Sequence, residues 1–228
     1  MIIKRNSILV PFALLLSFFL PNKSFGQFSN EETVNGLKEA LEVACKISVK
    51  KASKHDGFNK NELIRVPFPP EAEKMETTLR GMGLGNKVDD FIVSMNRAAE
   101  KASKEAAVIF IDAIKEMNID DGTAILTGGN NAATKYMAGQ TAQKLYIKFK
   151  PIVSTSLQAV DVSKYWDPLA STYNKIPLVE KVNPDLEDYA TQKSIQGLFK
   201  LMAGEEEKIR TLGSAQVTET LRKIFGKR

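Results

Sequence analysis

Cysteine, histidine and tryptophan are nearly absent from this chain of 228 residues, which contains one of each. Cys45 has no partner for an intrachain disulfide, so a disulfide-stabilised scaffold is excluded. Its apolar neighbours on one helical face predict that Cys45 packs in the core. His55 is the only imidazole, and it lies in a predicted turn exposed to solvent. The chain therefore has few of the Cys and His side chains from which catalytic triads and metal centres are built, and we predict no cofactor and no metal site.

A large excess of charge of one sign is also missing. The chain has 32 Lys and Arg residues against 27 Asp and Glu residues. Three of the basic residues, Lys4, Arg5 and Lys23, lie in the first 26 residues, which contain no acidic residue. Beyond that segment 29 basic and 27 acidic residues remain, a net charge of +2. Such a balance argues against a nucleic-acid-binding protein.

The one long hydrophobic run, residues 8–20, follows Lys4 and Arg5 and precedes the small residues Ser24 and Gly26. This order is typical of a secretory signal peptide, cleaved between Gly26 and Gln27. The run is shorter than the roughly 20 residues of a permanent membrane span. We therefore predict a signal peptide over 1–26 and an exported, soluble bacterial protein over 27–228. It would reside in the periplasm or be secreted, with no transmembrane helix.

No strand-like alternation of apolar and polar residues occurs beyond Gln27, and apolar residues recur with a helical period. The pattern predicts an all-α single domain, a multi-helix bundle with two or three long helices and several short ones. An extended arm over 63–70 and a linker over 177–184 interrupt the helices. The predicted helices cover 30–54, 71–80, 88–117, 131–160, 164–173 and 185–212, and a last short helix begins at Gly213-Ser214.

The most regular of these patterns is a heptad stripe between Val88 and Ala113, passing through Ala99, Ala102 and Ile109. Small side chains in its middle predict a close approach by a neighbouring helix.

Three local features of other helices carry further expectations. Gly57 is expected to end the first helix in a left-handed conformation. Pro151 is expected to kink or break the helix over 131–160 near Phe149, and Ala138 and Ala142 are expected to face inward.

Two groups of polar side chains lie within otherwise apolar helical patterns. Asn96, Arg97 and Glu100 interrupt the heptad stripe. Glu205 and Glu206 precede Arg210, and Glu206 and Arg210 have the spacing of a favourable i,i+4 ion pair. Paired carboxylates can serve as general acid and base, whereas a solvated or ion-paired helix face explains the same residues without chemistry. We take all six residues as candidates for partner or ligand contact.

Asn130 and Asn131 follow a pair of glycines just before a predicted helix. Free N–H groups at such a helix start can hold an anion. The alternative is a tight turn in which one of the two asparagines caps the helix. We count both among the candidate contact residues.

Several short motifs occur in an order that resembles a bacterial family, domain of unknown function 4197, whose members usually carry an export signal. The resemblance covers about residues 34–226 and implies an exported helical protein without an established activity, ligand or catalytic residue. Relatives often carry an acidic residue where this chain has Asn130-Asn131. The motifs are Asp56-Gly57-Phe58, Ile64-Arg65-Val66-Pro67, Met95-Asn96-Arg97-Ala98-Ala99-Glu100, Ile125-Leu126-Thr127-Gly128 with Ala132-Ala133-Thr134, Phe149-Lys150-Pro151-Ile152, Gly197-Leu198-Phe199 with Glu205-Glu206 and Ile209-Arg210, and Ile224-Phe225-Gly226.

Three functional hypotheses follow from these observations. The first is a non-enzymatic exported module that binds or scaffolds a cell-envelope component. The second is a carrier that holds an apolar ligand between its helices. The third is a hydrolase that uses Glu205 or Glu206. The expected partner is thus an envelope protein or an apolar ligand, and no oligomeric state is predicted.

Overall fold

The computed structural model describes residues 28–120 and 122–226, and these residues form helices, turns and connecting segments without a strand. The predicted signal peptide and its cut site between Gly26 and Gln27 lie outside this description. The all-α prediction is confirmed. The α-helices are α1 Asn30–Ala52, α2 Glu73–Gly81, α3 Gly85–Glu116, α4 Gly122–Thr127, α5 Ala132–Ala159, α6 Val162–Asn174, α7 Leu186–Thr211 and α8 Glu219–Phe225; short 3-10 turns cover Pro70–Ala72 and Gly213–Ala215.

Four long helices form a closed ring in the described part of the chain. They have 23, 32, 28 and 26 residues. The structure thus has four long helices where the sequence suggested two or three. In this ring α1 packs on α3, α3 on α5, α5 on α7, and α7 on α1. The short helices cover its ends and sides: α6 lies on α3 and α2, α4 on α1 and α5, and α8 on α1 and α7. The apolar stripes of all four helices thereby share one core.

Local capping determines where the first and the last long helix begin. Ser29 and Glu32 form the reciprocal capping box that satisfies free N–H groups at the start of α1. The side chain of Asp185 accepts a hydrogen bond from the Asp188 N–H at the start of α7.

The predicted start of the last helix is wrong, because this helix begins later in the chain. The residues Gly213–Ala215 form only a 3-10 turn, and α8 begins at Glu219 with Thr218 as its cap. Val217, which lies between the 3-10 turn and α8, is 60% exposed.

The turn after α1 differs from the expectation that Gly57 is left-handed. Asp56 has the left-handed backbone, with φ of 65°, and Gly57 does not. Gly57 is needed there because a Cβ would lie 2.4 Å from the carbonyl oxygens of Lys51 and Ala52. The left-handed conformation directs the Asp56 side chain toward α3, where it binds Arg97.

The alanine stripe of α3 faces the core as predicted. Ala98, Ala99, Ala102 and Ala106 are completely buried. Toward the C-terminus the buried face shifts gradually, so that Phe110 is buried and Ile109 is only half-buried, while Ala113 of the predicted stripe remains buried. A straight helix drifts relative to a seven-residue repeat, by about 20° per heptad, which accounts for the shift.

The buried face of α5 follows a different row of residues from the predicted one. Ala142 is exposed and Ala138 half-buried, because alanines carry too weak an apolar signal to define a face. The expectation at Pro151 was a kink or a break, and the helix continues through this residue, so no break occurs. Both Pro151 and Ile147, whose carbonyl loses its helical partner, lie on the exposed side, where solvent can hydrogen-bond to that carbonyl. The buried row steps by four residues: Ala133, Met137, Thr141, Leu145, Phe149, Val153 and Leu157.

None of the helices in the described ranges is both long and apolar enough to cross a membrane.

The alanine stripe predicts the cost of enlarging one of its side chains. Ala102→Leu should lower the free energy of unfolding by about 1–3 kcal/mol, because the neighbouring helices leave no room for the added atoms. Urea denaturation followed by circular dichroism measures the change. Val108→Leu on the same helix is the control, since Val108 is 68% exposed and should tolerate the change. A neutral or stabilising Ala102→Leu would contradict this packing.

Candidate functional site

The polar residues singled out in the sequence gather mainly in two places in the described part of the chain. The first, here called the arm cluster, consists of Asn96, Arg97 and Glu100 on α3 with Asp56 from the turn after α1. The second, here called the turn cluster, consists of Glu206 and Arg210 on α7 with the backbone of the turn between α4 and α5.

Glu100 is the centre of the arm cluster and is only 5% exposed. One carboxylate oxygen accepts hydrogen bonds from the backbone N–H groups of Phe58 and Asn59, at 3.1 and 3.2 Å. The other oxygen accepts from Arg97 at 2.7 Å, and the same guanidinium donates to Asp56 at 2.6 Å. The turn after α1 is thereby bound to α3 through alternating charges.

Asn96 attaches the extended arm to α3. Its side-chain carbonyl accepts a hydrogen bond from the Val66 N–H, and its amide donates to the Val66 carbonyl, both at 2.8 Å. The side chain is completely buried and also donates to the Ile92 carbonyl. Asn96 therefore pairs with the arm in the way that a neighbouring strand would.

The turn cluster begins with a carboxylate at the start of a helix. The oxygens of Glu206 accept hydrogen bonds from the Ala133 N–H at 3.0 Å and from the Thr134 N–H at 2.7 Å. The Thr134 hydroxyl donates to the same carboxylate at 2.6 Å. These are free N–H groups of the first turn of α5, where the helix dipole favours a negative charge. The anion at this helix start is therefore the protein's own Glu206.

Arg210 completes the turn cluster by joining Glu206 to the end of α4. Its Nε donates to Glu206 at 2.8 Å, and its terminal nitrogens donate to the carbonyls of Leu126 at 2.8 Å and Ile125 at 3.2 Å. These carbonyls belong to the last turn of α4, where the dipole favours a positive charge. The expected alternative without chemistry was a solvated or ion-paired helix face, and this pair is ion-paired but not solvated. The Arg210 side chain is 3% exposed and Glu206 is fully buried.

The two asparagines before α5 play a smaller part than the sequence suggested. Asn131 is the first residue outside α5, but its side chain makes no capping hydrogen bond, because Glu206 already occupies that position. Asn130 is exposed and donates to the Glu207 carboxylate at 3.0 Å. The expectation that an asparagine side chain caps this helix is therefore wrong.

Glu205 lies apart from its neighbour, since adjacent helical side chains point in different directions. Its carboxylate is ion-paired with Lys51 of α1 at 2.5 Å and with Lys208 at 2.8 Å. Burial opposes ionisation, but the two lysines outweigh it and lower the pKa of Glu205. Glu205 therefore stays charged and holds α7 against α1.

The remaining reactive groups are placed as the sequence predicted. Cys45 is completely buried in α1, and burial raises the pKa of its thiol to about 12, which suppresses the nucleophilic thiolate. The His55 side chain is 78% exposed and lies 3.3 Å from the Asp56 carboxylate. Within the described ranges, no three His, Cys, Asp or Glu side chains are close enough together to hold a metal ion.

Asp56 and Thr134 are contact residues that the candidate set did not include. Both belong to motifs on which the family resemblance rests, so the motifs themselves were the available signal. Nothing local indicated that Asp56 reaches Arg97, 41 residues away, or that Thr134 reaches Glu206, 72 residues away.

The turn cluster predicts strong coupling between its two charges. Glu206→Gln and Arg210→Met should each lower the free energy of unfolding by about 3–5 kcal/mol, because each leaves the other group buried without its counter-charge. The loss in the double variant should be smaller than the sum of the two single losses by about 1–3 kcal/mol. Chemical denaturation of all four proteins measures this. The exposed Glu207→Gln should stay within about 0.5 kcal/mol of the parent, and additive effects at 206 and 210 would contradict the arrangement.

The arm cluster predicts a contribution to acid stability. Hydrogen bonds from Asn59, Arg97 and Lys60 hold the pKa of Asp56 well below its ordinary value of 3.8. The unfolded chain therefore takes up this proton first, and the stabilisation present above pH 4 is lost as the pH falls below it. Asp56→Asn should make the decline of the urea midpoint between pH 4 and pH 2 shallower. The exposed Asp90→Asn should leave the slope unchanged, and equal slopes for all three proteins would refute the role of Asp56.

Comparison with known proteins agrees with the resemblance inferred from the motifs. A family model described as protein of unknown function (DUF4197) matches residues 27–226. No curated protein and no solved structure gives a match. The chain therefore belongs to the DUF4197 family of proteins of unknown function.

Proposed function

We propose that this protein is a non-enzymatic, exported helical module that binds or scaffolds a component of the cell envelope. One observation carries the proposal: the strongest candidates for chemistry are bonded to the protein's own backbone and side chains. Asn96, Glu100, Glu206 and Arg210 are all at least nine-tenths buried. They hold helices, turns and the arm together, which leaves recognition to the outer surface.

The N-terminal sequence supports the exported part of the proposal. A positive start, a short apolar run and small residues before Gln27 form the pattern that secretion machinery cleaves. The near-neutral charge of the remaining chain suits a protein that recognises another protein by shape and apolar contact, more than one attracted to a polyanion.

The hydrolase alternative has less support from the same contacts. A general acid or base must come within hydrogen-bond reach of the substrate. Glu206 has no exposed surface, and its oxygens are bonded to Arg210 and to the start of α5. Glu205 is ion-paired with two lysines.

The carrier alternative would be supported by an enclosed apolar space. A groove of about 380 Å³ lies where α5 is followed by α6. Leu157, Val162 and Leu186 contribute apolar surface to it, but Asp161 and Glu187 also line it. Carboxylates in this position disfavour an apolar ligand.

Export and processing can be tested in the natural host. The intact mass of the purified protein should correspond to a chain that begins at Gln27, and the protein should be recovered from the envelope or medium. Leu15→Arg, which places a charge in the apolar run, should leave an uncleaved precursor inside the cell. An uncleaved, cytoplasmic parent protein would contradict the exported role.

The binding role can be tested on the same material. Chemical cross-linking in intact envelopes should join the protein to a discrete partner, and native mass spectrometry of the purified chain should show its mass without a bound lipid. A stoichiometric lipid would support the carrier alternative. The absence of any cross-linked species would contradict the binding role.

A further inference from the structure

The connection between α6 and α7 is a loop whose base is held at both ends. The Asn174 amide donates to the Val182 carbonyl at 3.3 Å, and its carbonyl accepts from the Val182 N–H at 3.0 Å. Ile176, Val179 and Val182 are half-buried and pack against the core. Between these anchors, Pro177 and Leu178 are exposed. We call Pro177-Leu178 the loop tip.

The backbone of the loop tip has a conformation that leucine disfavours. Leu178 has φ of 64°, in the left-handed region. A proline followed by a left-handed residue is the order found in type II turns, where glycine is the usual second residue. For a residue as bulky as leucine this conformation is a genuine outlier, because the Cβ approaches the following carbonyl. Strain of this kind persists where the surrounding structure imposes it, and often marks a functional site.

The side chain of Leu178 does not offset this strain by packing, since it is fully exposed, with a relative accessibility of 106%. Other exposed apolar residues differ from it. Val108 and Ile147 lie on the outer faces of α3 and α5 with ordinary helical backbone, and such single residues are common on protein surfaces. Only at Leu178 does the described part of the chain combine a large exposed apolar side chain with a left-handed backbone.

We propose that the loop tip inserts Leu178 into an apolar pocket on a partner protein of the cell envelope. This inference rests on the proposed function and names the surface that carries it. A projecting leucine beside a rigid proline ring offers one apolar contact that a pocket of matching size would remove from water on binding.

The charges around the loop tip favour a protein partner over a membrane surface or a second copy of the chain. Lys175, Glu180 and Lys181 are exposed, so both signs of charge surround the tip. A pocket rim with complementary charges of both signs suits this pattern. An anionic bilayer would attract Lys175 and Lys181 but repel Glu180 and the nearby exposed Asp185, which leaves no net attraction. One leucine and one proline also offer too little apolar surface for stable membrane attachment. In a second copy of the chain, the groove between α5 and α6 is too polar to receive Leu178.

The strain can be tested without knowing the partner. Leu178→Gly should raise the melting temperature by about 2–4 °C, because glycine adopts the left-handed conformation freely. Leu63→Gly is the matched control: Leu63 is 56% exposed in a turn with ordinary φ, and glycine there should lower the melting temperature or leave it unchanged. An unchanged or lower melting temperature for Leu178→Gly would show that the backbone at position 178 is not strained, and would overturn the inference.

Binding can be tested with a photoreactive amino acid at position 178 in the full chain, expressed in its natural host. A discrete protein adduct is expected at 178 and none at 63. In the parent sequence, amine cross-linking through Lys175 and Lys181 should recover the same protein. Leu178→Asp should lower that recovery at least about fivefold, and Leu63→Asp should not. Circular dichroism and the melting temperature establish that both aspartate variants are folded.

The other outcomes separate this inference from the proposed function. Adducts with lipid alone, with a second copy of the chain, or equally from positions 63 and 178 would overturn the role of the loop tip. A probe at Ile147 that captures a partner while the probe at 178 captures none would overturn it too, yet leave the binding function in place. If no probe captures a partner at any position, the role of the loop tip and the proposed binding function are both contradicted.

Discussion

The structure depends on a buried ion pair that serves two helices at once. Glu206 and Arg210 lie one turn apart on α7, with the carboxylate at the start of α5 and the guanidinium at the end of α4. Each charge thus meets the helix end whose dipole favours it, and each satisfies backbone groups that would otherwise be buried without partners. Because α5 packs on both α3 and α7, the position of this one turn determines how the ring of helices closes.

The arm cluster likewise provides hydrogen-bond partners for backbone groups that the helices leave unsatisfied. The turn after α1 and the extended arm contain N–H groups that no helix satisfies, and Glu100 and Asn96 accept hydrogen bonds from them. The motifs on which the family resemblance rests contribute much of both clusters. Those motifs therefore describe how the chain folds, and the binding role that we propose would lie on surfaces outside them. The strained loop tip at Leu178 is such a surface, since its conformation has no evident benefit to the fold.

Much of the fold was predictable because helices are determined locally. Capping at Ser29 and Asp185 involves residues three positions apart, and apolar periodicity identified the long α3 and the buried Cys45. The predictions failed where the local signal was weak or absent. Ala142 is small enough to face either way, and the left-handed backbone of Asp56 accompanies a contact with Arg97, 41 residues away, that no local pattern indicates.

The sequence by itself determined that this chain forms helices around one apolar core, and it identified most of the polar residues that matter. Only the tertiary structure decided what those residues do. Glu206 binds N–H groups of Ala133 and Thr134, more than 70 residues away, and this contact exists only once the ring has closed. A charged side chain looks the same in sequence whether it faces water, a substrate or a helix end. Its surroundings, and therefore its role, depend on distant segments that folding brings together.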